Sequence, residues 1–366
     1  MPHCATLSCR HLLIAAAAIA IAMPAGAASQ RTFVATSGID VGACAAPAPC
    51  RTFQFALGQT NPGGEIVVLE SGGYGQLTIA KSITVVAPRG VYAGITGLTG
   101  DAVNVDGAGI VVTLRGVSIN GLGGAYGVRL VNAATLQLEG CVIAGFTQDG
   151  VYAAGGIGRL LIEESQVRGN QKAGINVDGP YRVIVEQSRI DDNGSFAGGI
   201  GLWLRNGADG TVRSSRLSRN AYGNVRLTGA NDKTVRVDVS DSLLADGELA
   251  VSGGSGVYGE NDTSNGVVQI VATRNVLRAN FHHLLISGSA TASSTLVATG
   301  NTATGNNGSW AYGATGAGSV LVLAGNSASI GLWGIYASGG AVVQSANDNV
   351  VYGAGIGATA APVTKF

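Results

Sequence analysis

Ser165-Gln-Val-Arg-Gly-Asn170, Ser188-Arg-Ile-Asp-Asp-Asn193 and Ser215-Arg-Leu-Ser-Arg-Asn220 are three copies of one phrase. It consists of a small polar residue, a free position, an aliphatic, two free positions and asparagine. Asn275-Val-Leu-Arg-Ala-Asn280 and Asn301-Thr-Ala-Thr-Gly-Asn306 repeat it downstream. With the fainter copies, the first position falls at Val117, Cys141, Ser165, Ser188, Ser215, Ser242, Asn275, Asn301, Asn326 and Asn349, at spacings of 24, 24, 23, 27, 27, 33, 26, 25 and 23. A period in this range is the signature of a solenoid, in which each repeat is one coil and buries its apolar side only against its neighbours.

Between the phrases the aliphatics alternate, as in Arg182-Val-Ile-Val-Glu186, Gly174-Ile-Asn-Val177 and Thr234-Val-Arg-Val-Asp-Val239. Alternation with period two indicates strands, and the Gly, Asn and Asp clusters between them indicate tight turns. Glycine supplies 58 of 366 residues, which suits a chain that turns sharply several times per coil. The asparagines at the sixth place are expected to stack, because Asn tolerates the left-handed conformation and its amide can bond the Asn above and below. A leucine-rich repeat has a similar period but needs a Leu-rich strand and a helical or extended return. Here Val and Ile lead and the return is Gly-rich. The fold class predicted is all-β, a right-handed parallel β-helix of roughly 11–12 coils, near 55 Å long at ~4.8 Å per coil. Its inward column should contain Ile119, Ile143, Val167, Ile190, Leu217, Leu244 and Leu277.

A more specific likeness lies upstream, in Arg31-Thr-Phe-Val-Ala-Thr-Ser-Gly-Ile-Asp40, Cys50-Arg-Thr-Phe-Gln-Phe-Ala-Leu57, Gly63-Gly-Glu-Ile-Val-Val-Leu69, Gly73-Tyr-Gly75 and Ile79-Ala-Lys-Ser-Ile83. This segment resembles the start of bacterial secreted proteins of the pectate-lyase-like β-helix superfamily. The resemblance implies a short amphipathic helix, about Thr52 to Gln59, that caps the N-terminal end of the solenoid. It implies no activity, because the superfold hosts lyases, hydrolases, epimerases, adhesins and scaffolds. Polygalacturonase-like members carry Asn-Thr-Asp, paired Asp, Gly-His-Gly and Arg-Ile-Lys in successive coils. Only Asp191-Asp192 matches here, at a turn, and Arg189-Ile-Asp191 stands where Arg-Ile-Lys would be.

Residues 1–27 read as a signal peptide: Arg10 and His11 precede the apolar run from Leu12 to Ala22, and Ala25-Gly-Ala27 is a small-residue cleavage site. The run is too short to span a bilayer and no later segment is a transmembrane candidate. Residues 28–63 form the cap segment and 64–366 the β-helix. The expected location is exported, periplasmic or extracellular. Cys44 and Cys50 flank a stiff Ala-Ala-Pro-Ala-Pro loop, and in an oxidising compartment they are expected to form a disulfide. Cys141, at the first position of the phrase, is expected to be a buried, unreactive thiol. Charged residues make up 12% and net charge is zero. That balance argues against nucleic acid or an anionic membrane as partner, and it offers no strongly cationic groove for an acidic polymer.

Three constellations could carry function. On the strand after the Asn turn, the outward position runs Arg129, Tyr152, Asn176, Trp203 and Arg226. Aromatic rings among Arg and Asn on a flat sheet offer sugars stacking and hydrogen bonds. Two places before the phrase, Arg115, Glu139, Glu163, Glu186 and Arg213 form a column. It reads as an ion-pair ladder or, through Glu139, Glu163 and Glu186, as a Ca²⁺ site, the one cofactor in prospect. The irregular coil of 33 residues is flanked by Asp246 and Glu248 on one side and His282 and His283 on the other. Glu248 with His283 is the acid/base pair to test. The reading is an exported surface or extracellular module that binds polysaccharide or a cell-surface glycan. The alternative is a polysaccharide lyase, hydrolase or epimerase.

Overall fold

A computed structural model describes residues 28–365, apart from 195–198, 231, 248–253, 262–264, 306–309, 331–332, 347, 354–356 and 359–362. Residues 1–27, where a signal peptide is expected, Glu248 and Asn306 therefore lie outside the described residues. The described strands form three parallel sheets of 14, 12 and 12 strands. Each coil visits them in turn. One coil, for example, runs through Thr135–Glu139 in the first sheet, Val142–Ala144 in the third and Val151–Ala154 in the second, before Gly158–Glu163 returns to the first. Matching positions of successive coils pair strand to strand, so the period of the sequence becomes a set of vertical columns.

The inward column follows the expected register. Ile119, Ile143, Val167, Ile190, Leu217, Leu244 and Leu277 pair in sequence and are fully buried. The first position of the phrase is a polar ladder inside the same wall. Cys141 N–H donates to Ser165 Oγ, and the relay continues from Ser165 to Ser188, Ser188 to Ser215, Ser215 to Ser242 and Ser242 to Asn275 Oδ1. Asn275, Asn301, Asn326 and Asn349 then bond amide to amide at 2.9–3.0 Å. Each buried backbone N–H at the corner thus gains an acceptor one coil away.

The sixth-place asparagines also stack: Asn170 Nδ2 donates to Asn193 Oδ1 at 2.9 Å and Asn193 Nδ2 to Asn220 Oδ1 at 3.0 Å. Their backbone does not adopt the left-handed conformation, contrary to expectation. The fifth residue does, at Gly169, Asp192, Arg219, Asp246 and Ala279, with φ between 50° and 64°. Asparagine is there for its buried amide, and the strain of the turn sits on the residue before it.

The helix Phe53–Gln59 packs Phe53, Ala56 and Leu57 against the first coils. Thr52 caps it by accepting from Phe55 N–H, and Asp40 accepts from the N–H groups of Arg51 and Thr52. Cys44 and Cys50 are joined, with Cα atoms 4.9 Å apart. Cys141 is buried, and desolvation pushes its thiol up to about 12.

Candidate functional site

The outward column of the second sheet runs Arg129, Tyr152, Asn176, Trp203, Arg226 and Tyr258 in consecutive coils. The flat, open face expected from the sequence is not what forms. Its rings and guanidiniums pack on one another, some between coils and some within one strand. Tyr152 stacks on Tyr126 at 5.0 Å. Arg205 lies 4.2 Å over the Trp203 ring, and Arg226 approaches the same ring at 5.9 Å. The Trp203 indole N–H donates to Thr228 Oγ1 at 3.0 Å.

The polar members are engaged as well. Arg226 sits among Tyr222, Trp203 and Tyr258 and is ion-paired to Glu260. Arg129 faces Asp101 at 3.6 Å. Asn176 is buried, donates to Asp149 Oδ2 at 2.9 Å and accepts from Arg205 Nη2 at 3.1 Å. Asn176 and Arg226 are thus supports held by neighbours, where free contacts were expected.

Between the Tyr152 and Trp203 levels the surface sinks into a concavity of about 410 Å³. Its walls are Tyr126, Tyr152, Trp203 and Arg205; Asp149 and Asn176 lie deeper, with Gln148 and Lys172 completing the lining. Asp149 is 4% exposed and accepts from Ala173 N–H at 2.9 Å and from the Asn176 amide. Burial holds its carboxyl above the ordinary carboxylate value, although both hydrogen bonds pull the other way. The Tyr126 hydroxyl is raised too, first by burial and then by the charge of Asp149. A second concavity, of about 620 Å³ and including Asp178 and Asn206, is separated from the first by the 3.1 Å ion pair of Asp178 with Arg205.

Sequence reasoning found Tyr152, Asn176 and Trp203 through the strand alternation and missed Tyr126, Asp149, Lys172 and Arg205. Tyr126, Asp149 and Lys172 lie in turns, where alternation has no force, and Arg205 is the next outward residue after Trp203 on the same strand. One signal was available. Tyr126-Gly127, Asp149-Gly150 and Ala173-Gly174 occupy the same place before consecutive second-sheet strands. A Cβ on Gly127 would meet Gly150 O at 2.4 Å, so this glycine is required by close coil approach and marks the register of the residue before it.

The other two constellations resolve differently. Arg115, Glu139, Glu163, Glu186 and Arg213 stand in pairing register. Glu139 pairs with Arg115 and Glu186 with Arg213, both at 2.8 Å, and Glu163 accepts from Gln137 at 2.9 Å. The geometry is that of the ion-pair ladder, and among the described residues no three carboxylates, histidines or cysteines converge as metal ligands. His283 points into the core and is fully buried. Asn280 Nδ2 donates to His283 Nδ1 at 3.2 Å, while its Nε2 is buried without a partner. Burial pushes His283 down to about 3 and His282 to about 4. A histidine held neutral in the core cannot exchange protons with a surface ligand, so the expected pairing with Glu248 has no accessible imidazole at His283.

Residues 101–241 match the family described as right handed beta helix region. The chain has the right-handed, pectate-lyase-like β-helix fold. Among solved structures it is similar to the Dettilon tailspike protein gp208, at 15% identity and a TM-score of 0.59, over 82% of this chain and 63% of the tailspike. The β-helix thus spans less than two thirds of that protein's length. It is similar also to pectate lyase Pel9A, at 16% identity and a TM-score of 0.50, over 83% of this chain and 78% of the lyase. At such identities the likeness is one of fold. No curated protein matches the chain in sequence.

Proposed function

We propose that this protein is an exported β-helix module that binds a polysaccharide or cell-surface glycan on the outer face of its second sheet. The observation that carries the reading is the concavity itself, where three aromatic side chains meet a desolvated carboxylate, two amides and two cations. Rings supply apolar contact to the C–H faces of a sugar, and a few placed polar groups fix its hydroxyls, which is the usual division of labour in a small-molecule site. The near-neutral charge of the chain agrees with an uncharged glycan. The signal-like residues 1–27 and the Cys44–Cys50 disulfide support export. A glycan array probed with the protein lacking residues 1–27, followed by titration of Trp fluorescence, tests it. Binding that is lost in Tyr152→Ala is the expected result; no bound glycan would refute it.

A second reading, a polysaccharide lyase, hydrolase or epimerase, draws on Asp149. A desolvated carboxyl with a raised pKa in a polar concavity is suited to general acid or base work. Release of reducing ends or of unsaturated sugars, abolished by Asp149→Asn with binding retained, would establish it.

A further inference from the structure

We infer that the concavity between Tyr152 and Trp203 receives a single sugar ring, so that the protein recognises a terminal or branch residue of a glycan rather than an internal run of its backbone. This deepens the glycan reading above and rests on it. Enclosure sets this limit. A chain that bound as an extended polymer along the solenoid would need an open trough passing from coil to coil. Here the trough is closed at both ends.

On the N-terminal side the wall is the stacked pair of Tyr126 and Tyr152. Tyr126 comes from the preceding coil and covers one face of Tyr152, which leaves the other toward Asn176. On the C-terminal side the wall is Trp203 with the Arg205 guanidinium on its ring. Arg205 is drawn toward the preceding coil by Asn176 at 3.1 Å and Asp178 at 3.1 Å, so it lies on the side of the indole that faces the concavity. Beyond Trp203 the column stays filled, because Arg226 is packed among Tyr222, Trp203 and Tyr258 and tied to Glu260.

The space left between the walls is about 410 Å³. That is near the lower end of the ~300–1,000 Å³ typical of ligand pockets, room for one pyranose with its water and not for a run of several. The depression exists because Asn176 is the short member of the column and its amide is folded onto Asp149. At its base Asp149 accepts from Ala173 N–H and from the Asn176 amide. A carboxylate accepts at about four sites, so it retains capacity for sugar hydroxyls. Acceptor sites at the base suit a hydroxyl-rich residue.

The test uses the methyl glycosides of common neutral hexoses and 6-deoxyhexoses, and a length series of oligosaccharides ending in whichever sugar binds. Titrations follow Trp fluorescence and heat. The inference expects a methyl glycoside to bind alone, with a molar Kd that changes less than about twofold along the series. Asn176→Phe, which fills the depression, should abolish binding. Because it also breaks the Asp149 bond, Lys172→Trp at the exposed rim provides a second block, with circular dichroism confirming the fold of both. An affinity that climbs tenfold or more with added residues, with no binding of the methyl glycoside, overturns terminal recognition and leaves glycan binding in place. If no saccharide binds, the glycan reading and this inference fall together.

Discussion

Asn224 Nδ2 donates to Asn280 Oδ1 at 3.1 Å, across a separation of 56 residues, and so carries the buried amide ladder past the coil that lacks it. The sixth position of that coil is Gly247, not asparagine. Asn220 Nδ2 donates instead to Asn224 Oδ1 at 2.8 Å, and Asn224 Nδ2 also donates to Ala245 O at 3.1 Å. A side chain from the second sheet thus substitutes for the missing rung. Asn224→Ala should destabilise the protein by about 1–3 kcal/mol, the cost of leaving buried amide groups unpaired. Denaturant midpoints of the two proteins measure this, and equal midpoints would show that Asn224 is not part of the ladder.

The two core histidines predict acid sensitivity. Both are depressed, from 6.5 to about 4 at His282 and about 3 at His283, so the folded state holds them neutral. As pH falls below 6.5 the unfolded chain takes up protons that the folded chain refuses, and stability is lost down to the folded values. Between pH 6.5 and 5 each imidazole removes about 2 kcal/mol at most. His283→Leu should therefore narrow the gap in Tm between pH 7 and pH 5. Asn280 keeps its bond to Leu244 O in that variant and loses only the one to the imidazole. An unchanged gap would mean that His283 titrates normally.

The carboxylate column predicts no stabilisation by calcium. Arg115 and Arg213 already occupy the outer ends of the Glu139, Glu163 and Glu186 row. Millimolar Ca²⁺ should leave Tm unchanged, because a ligand stabilises only by binding the native state. A rise that Glu163→Gln removes would place the ion there after all.

Trp203 is half-buried between two guanidiniums, which revises the expectation that it is a free platform. Trp203→Ala should both weaken glycan binding and lower stability, by about 1–2 kcal/mol for the lost cation–π and packing contacts. Tyr152→Ala should reduce binding with a smaller loss of stability. If Trp203→Ala unfolds the protein outright, the indole is part of the core.

The repeat alone determined the fold, the order of coils and the columns. In a parallel stack, equal spacing from a marked residue means equal position, so Ile190 beneath Leu217 and Trp203 beneath Arg226 could be read from residue numbers. The cysteine pair was likewise local enough to read. Tertiary structure alone decided what the outward column does. Whether Tyr152 and Trp203 lie open or stacked depends on Tyr126, which sits in a turn, and on the direction taken by the Arg205 side chain at the end of the Trp203 strand. Asp149 joined the site because its side chain reaches one coil onward to Ala173 and Asn176. The phase of His283 was hidden by the irregular coil before it, because a period interrupted by an insertion no longer says which face comes next. Periodicity specifies where each Cα stands, whereas the rotamers and partners at its ends are chosen by packing between coils.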